Sequence, residues 1–293
     1  MTAADNDQER RRRAYQVGGQ HTRETIAQQD PDRHGLLERV RRSDIVVVRG
    51  QYDHVEWVLE ALDLPHLAVD PRDLAGLELR PAQLLVVNCP GQVGRTAVDQ
   101  VRRFVEAGGS LFTTDWALRH VLEPAFPGVL AYNERPTADT VVRVEKAATD
   151  NPFLKGVMDG ADDPIWWLEG SSYPITVRDP SRVQILISSR ELAEQWGEAP
   201  VALTFRAGEG EVFHMISHYY LQRAETRTRR HRMPAAAYAA EKGVAWDAPT
   251  MAQAADLTLG EVEAASSSAR LFANVVSEKK RRAVEEEARR REK

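Results

Sequence analysis

Gln83-Leu-Leu-Val-Val-Asn-Cys-Pro-Gly91, then a helical pattern from Thr96 to Ala107, then Gly108-Gly-Ser-Leu-Phe-Thr-Thr-Asp115: this run alternates strand, helix and strand with both junctions marked. The first apolar run stops at a proline and a glycine, which force a tight turn at a strand's C-terminal end. Val98, Val101, Phe104 and Val105 recur at the spacing of one helix face, and Gly108-Gly109 supplies a left-handed helix cap. Ser110 to Thr114 is the following strand, and Asp115 stands where that strand turns into a helix carrying Ala117, Leu118, Val121 and Leu122.

Upstream, Asp44-Ile-Val-Val-Val-Arg-Gly reads as a buried strand, Val55, Val58, Leu59 and Leu62 as a helix face, and His66-Leu-Ala-Val-Asp as a second short strand. Alternating elements of this length imply an α/β domain of flavodoxin-like type, a mostly parallel sheet with helices on both faces. Downstream the pattern turns to strands, with Thr140 to Val144, Trp166 to Leu168, Val183 to Ser188, Val201 to Phe205 and Glu211 to Ile216, some of them extending the sheet antiparallel. A short helix through Leu221 and a long C-terminal helix from Leu259 follow. Four segments result: a polar N-terminal arm (1–33), read as poorly ordered; the α/β domain (34–224); an Ala/Pro-rich connection (225–258); and a charged C-terminal helix (259–293) with a protruding, solvated end.

With 293 residues, 42% of them apolar, the chain can bury one sizeable core. Its apolar runs are strand-length, far below the roughly 20 residues of a membrane span. The basic start lacks an apolar segment behind it, so a secretory signal is not expected and a cytoplasmic location is. The single cysteine, Cys89, rules out an intrachain disulfide. With a net charge of −5 and basic residues clumped at both ends and at Arg227 to Arg232 rather than forming one cationic stripe, bulk nucleic-acid binding is not expected. The Arg227 to Arg232 cluster reads as a solvated loop or as a grip for phosphates. No P-loop, dinucleotide glycine fingerprint or HExxH stands in the sequence, and neither cofactor nor metal is expected.

In an open parallel sheet, ligands sit outside the C-terminal ends of the strands. That rule selects the loops carrying Arg49, Asp53 and His54; Asn88, Cys89, Gly91 and Gln92; Asp115 and Trp116; and His218 and Tyr219. Asp53 is either a helix cap or a ligand contact, and Asp115 either a helix cap or half of an acid–base pair with His218. Cys89 reads as a plain buried thiol, since nothing nearby in sequence activates it. His214 and His218 lie on a strand and at its end, where structural histidines are the ordinary reading. Trp166, Trp167, Tyr173 and Trp196 read as packing, or as an aromatic wall.

The strand with its Pro90-Gly91 turn, the helix ending Ala107-Gly108-Gly109, the elbow at Asp115, and the late Gly208-Glu-Gly-Glu-Val-Phe-His-Met-Ile-Ser-His218 stretch resemble the class I glutamine amidotransferase-like superfamily. The resemblance is to its ThuA-like branch and covers about His34 to Tyr220. It implies a nucleophilic cysteine at the elbow, here Asp115; a partner histidine, here His218; an oxyanion turn, here Pro90-Gly91; and an acid two residues after the histidine, here Tyr220. Two of three triad places depart from the pattern, so glutamine hydrolysis is not expected. Two functions remain open. One is a non-catalytic binding or scaffold domain for a small molecule or protein, with the C-terminal helix meeting a partner or a second copy. The other is a divergent hydrolase or isomerase of a small polar or sugar-like substrate using Asp115 and His218.

Overall fold

The computed structural model describes residues 3–148, 150–219 and 225–291. Its twelve strands in chain order are β1 (Ile45–Val48), β2 (Leu67–Val69), β3 (Leu84–Val87), β4 (Ser110–Thr114), β5 (Leu130–Tyr132), β6 (Thr140–Arg143), β7 (Glu145–Lys146), β8 (Ile165–Leu168), β9 (Ile175–Val177), β10 (Val183–Ser188), β11 (Pro200–Ala207) and β12 (Gly210–Met215). The α-helices are α1 (Ala3–Gln29), α2 (Pro31–Leu37), α3 (Val55–Ala61), α4 (Arg95–Glu106), α5 (Glu123–Ala125), α6 (Arg190–Trp196), α7 (Ala236–Lys242), α8 (Ala248–Ala254) and α9 (Leu259–Arg291).

Eight strands form the main sheet in the order β2-β1-β3-β4-β12-β11-β10-β7. The first five are parallel, and β11, β10 and β7 extend the sheet antiparallel, as the sequence pattern anticipates. The order reverses between β1 and β3, which is where a doubly wound sheet opens its ligand crevice. β5 with β9 and β6 with β8 form separate two-stranded ladders outside the main sheet. Every residue of β1, β3 and β4 is buried, and β1 and β3 are the continuous apolar runs expected of central parallel strands.

The N-terminal segment differs from the expected loose arm. It is helical, and α1 packs along α9 and buries Val17 and Ile26. Its contact surface is made from small residues rather than a large apolar stripe: a Cβ on Gly18 would sit 2.8 Å from the Cβ of Ala265. Arg10 and Arg13 then pair with Glu261 and Asp256. The Ala/Pro-rich connection likewise carries α7 and α8, whose Tyr238, Ala239 and Ala254 join Val17, Leu259 and Val262 in a second apolar cluster.

Helix α9 is a core element for most of its length. Leu271 and Phe272 are fully buried, and the Phe272 ring meets Phe112 of β4 edge-on at 5.0 Å. Solvent exposure sets in beyond Lys280, and residues 285–289 are exposed. No helix among the described residues is long and apolar enough to cross a membrane.

Candidate functional site

The loops after β1, β3, β4 and β12 meet at one end of the sheet and are tied together by carboxylates. The elbow after β4 places Asp115 at φ +41°, a left-handed conformation that costs a non-glycine residue about 1–2 kcal/mol. Its carboxylate faces away from the following helix. Oδ2 lies 3.1 Å from His218 Nε2 and accepts the Ser172 hydroxyl at 3.0 Å, while Oδ1 accepts the Tyr173 backbone N–H at 2.7 Å. The helix-cap reading of Asp115 therefore fails, because its acceptors serve the β8–β9 loop. The acid–base reading brings the two expected residues together.

On its other side His218 Nδ1 stands 2.8 Å from Glu169 Oε2. The imidazole and the Asp115 carboxyl are each only 2% exposed, whereas the Glu169 side chain is 37% exposed and joins the pair to solvent. Burial alone would depress His218, but Asp115, Cys89, Glu169 and the field of Asp53 raise its pKa well above 6.5. Burial pushes the Asp115 carboxyl up as well, and His218 pulls it part of the way back. The pair thus holds a proton between carboxylate and imidazole across the neutral range.

Asp53 is fully buried and does not cap α3. Its Oδ1 accepts the N–H groups of His54 and Tyr219, pinning the β1 loop to the chain after β12. Burial raises its pKa, and His218 offsets part of that rise. The cap on α3 comes instead from Asn88, whose Oδ1 accepts Val55 N–H at 3.3 Å while its Nδ2 donates to Glu56 at 2.9 Å. Gly91 holds φ +74°, and a Cβ there would meet Ala117 Cβ at 2.8 Å, so this turn lies directly against the elbow helix.

Other expected positions lie elsewhere. Arg49 is on the surface, paired with Asp70 at 3.2 Å. His54 stacks on Trp57 and approaches Glu56, and Gln92 is exposed. Tyr219 turns its ring into the core against Phe112 and Phe272, away from the dyad. Tyr220, the expected third triad place, and the short helix through Leu221 lie outside the described residues. In the Arg227–Arg232 cluster, Arg227 pairs with Glu191 and Arg230 with Glu241 and Glu263, which ties these two cations to the fold.

Cys89 has no activating neighbour in the sequence, yet in the fold its thiol packs beside the dyad, with Sγ 4.0 Å from Asp115 Oδ2. Burial pushes that thiol up to about 11, so it stays protonated at neutral pH and is a poor nucleophile. The ligating atoms of Cys89, Asp115 and His218 lie within 4.8 Å of one another, a thiol, carboxylate and imidazole set of a kind that suits Zn²⁺. Glu169, Ser172 and Tyr173 complete the site. Sequence spacing gives no local signal for Glu169 and Ser172, and Tyr173 reads there only as packing or an aromatic wall, because their loop joins the β6/β8 and β5/β9 ladders and meets the elbow only through tertiary folding.

Aromatic side chains form a row beside the elbow. Tyr52 meets Trp116 edge-on at 5.3 Å, Trp116 stacks on Tyr173 at 5.3 Å, Tyr173 stacks on Tyr132 at 3.9 Å, and the Arg119 guanidinium lies over Tyr132 at 5.8 Å. Tyr52 is 38% exposed, and Trp116 and Tyr173 are half-buried, so the row is in part open to solvent.

No protein-family model and no curated protein matches the sequence. Among solved structures, a ThuA-like protein from Bacteroides uniformis is similar at 12% identity and TM-score 0.44, over 61% of this chain and 84% of that one. A GMP synthase component from Thermoplasma acidophilum is similar at 14% identity and TM-score 0.43, over 60% of this chain and 83% of that one. An exo-β-1,4-mannosidase from Opitutaceae bacterium strain TAV5 aligns at 14% identity and TM-score 0.43 over 67% of this chain, which spans only 34% of the mannosidase's length.

Proposed function

We propose that this chain is a non-catalytic, amidotransferase-like binding domain that recognises a small molecule or a protein segment at the aromatic-walled end of its sheet, with the exposed charged end of α9 as a second contact. The observation that carries the reading is the state of Asp115. It occupies the elbow where the resembling enzymes hold a nucleophile, yet its two oxygens are taken by His218, Ser172 and Tyr173 and it is 1% exposed. A carboxylate so placed acts as a cross-link between loops. Cys89, the chain's single thiol, is held protonated beside it. What faces solvent is the row of Tyr52, Trp116 and Tyr173, the kind of surface that stacks on planar or sugar-like groups.

The test takes the purified full chain through a metabolite and glycan panel by thermal shift, with ammonia release from glutamine measured in parallel. Saturable binding that Trp116→Ala weakens about tenfold or more, with no turnover, supports the reading. Turnover of any panel member that disappears in Asp115→Asn and His218→Ala would replace it with the divergent-enzyme reading. One observation favours that second reading: the carboxylate–imidazole–carboxylate arrangement of Asp115, His218 and Glu169, whose partly exposed Glu169 could pass a proton to solvent.

A further inference from the structure

A cavity lies between α1, α7, α9 and the loop before β8, away from the dyad. Its volume is about 270 Å³, and its walls include His21, Thr22, Tyr238, Lys242 and Arg270. At ~30 Å³ per water that is room for about nine waters, or a small organic molecule.

Arg270 sets the character of this space. The residue is 4% exposed, its Nε donates to the Lys155 carbonyl at 3.1 Å, and its buried Nη1 has no hydrogen-bond partner. No carboxylate lies within ion-pair distance of it among the described residues. The two acids on the rim are engaged elsewhere, Asp159 with Lys146 and Glu241 with Arg230. Lys242 donates to the Asp159 carbonyl and to Asp162. Gly156 makes the space for the guanidinium, since a Cβ there would sit 2.7 Å from both Cζ and Nη2. Burial lowers the pKa of Arg270 to about 10, so it remains a cation at neutral pH. His21, lowered to about 3 by burial, is neutral there and adds an aromatic wall with Tyr238, the two rings 4.8 Å apart. A buried guanidinium with no carboxylate beside it is costly unless an anion joins it.

We infer that this cavity is a binding site for a small oxyanion-bearing molecule, a carboxylate or a phosphate, held by Arg270, which forms part of its wall. A planar guanidinium suits either acceptor through paired N–H donors. Thr22 and Ser266 add hydroxyl groups to the same wall, 3.1 Å apart and hydrogen-bonded to each other. The proposal stands apart from the sheet-end site, because none of its residues belongs to that site.

Isothermal titration of the full chain with sodium succinate and with sodium phosphate, at ionic strength held constant with sodium chloride, tests it. The expected result is saturable binding of at least one of the two, with the preferred probe separating a carboxylate site from a phosphate site. Arg270→Lys, which keeps the charge but not the fork, should weaken binding about tenfold, and Arg270→Met should abolish it. Absence of saturable binding of both probes to the wild-type chain overturns the inference, whatever the variants do. Binding that survives unchanged in Arg270→Lys and Arg270→Met overturns it as well.

Discussion

Asp115→Asn isolates the charge at the elbow while leaving its shape. The amide oxygen can still accept the Tyr173 N–H that Oδ1 accepts now. The amide nitrogen, however, places a donor 3.1 Å from His218 Nε2, where the wild type has an acceptor. Removing one partner of a buried ion pair costs about 3–5 kcal/mol, and both groups here are 2% exposed, so little screening reduces that figure. For a chain of this size a Tm falls by roughly 2–4 °C per kcal/mol, which puts the expected drop at roughly 6–20 °C. The pH dependence carries the sharper signature. His218 has a folded pKa raised above its unfolded value, so its stabilisation is fully present below about 6.5 and is lost as pH rises through the folded pKa. The gap between wild type and Asp115→Asn should therefore be widest near pH 6 and narrow toward pH 9. Guanidinium denaturation at those two pH values measures it. A gap below about 1 kcal/mol at pH 6, or one of equal size at both, would refute the claim that a shared proton binds elbow to histidine.

Three further outcomes follow from particular contacts. Gly91→Ala combines a left-handed φ with a clash against Ala117 backbone and side chain, and should cost about 2–4 kcal/mol by thermal or denaturant melt; a loss under 1 kcal/mol would mean the turn can move. His21 and His214 are buried neutral with pKa values near 3, so each contributes stability that is present above about 6.5 and lost as pH falls: roughly 2 kcal/mol each by pH 5, a loss that His214→Gln should shrink by that share and that a flat acid limb would contradict. Truncation after Val276 removes Ser277 and Glu278, which hold Arg33, and Lys279, which donates to the Pro81 and Gly108 carbonyls; it should cost at least about 3 kcal/mol in urea, whereas truncation after Arg282 should cost about 1 or less, and equal losses would show that the helix is not divided into a core part and an exposed part.

The central sheet is legible because its strands are apolar runs punctuated by glycine and proline, a local signal that tertiary context does not override. Val183 to Ser188 matches β10 end for end, and the helix read from Thr96 to Ala107 is α4 displaced by one residue. The N-terminal helix is not legible for a physical reason. Two helices brought together by Gly18 and Ala265 need no bulky apolar stripe, so α1 reads as polar while its backbone is buried. The site is half legible. Its strand-end loops follow from topology, and Asp115 with His218 from the elbow and the late strand. Glu169, Ser172 and Tyr173 belong to a loop whose approach to the elbow no spacing encodes, and Cys89 reads as an inert thiol until the fold sets it 4.0 Å from a carboxylate.

The way the loops are fastened bears on what the domain can do. A nucleophile at a strand-to-helix elbow must present one free atom to a substrate, and strain at the elbow serves that exposure. Here the strain is retained at φ +41°, but the side chain it presents is turned inward and saturated. Asp53 does the same on the neighbouring loop, holding the Tyr219 N–H 166 residues away in sequence. Two buried carboxylates thus fix four segments, those after β1, β4 and β12 and the one between β8 and β9. Rigid loops are an asset to a binding surface, because side chains already held in place lose less entropy when a ligand arrives. The aromatic row gains from this arrangement directly: Trp116 follows Asp115 in the chain, Tyr173 donates its backbone N–H to it, and the two rings stack because one carboxylate anchors both.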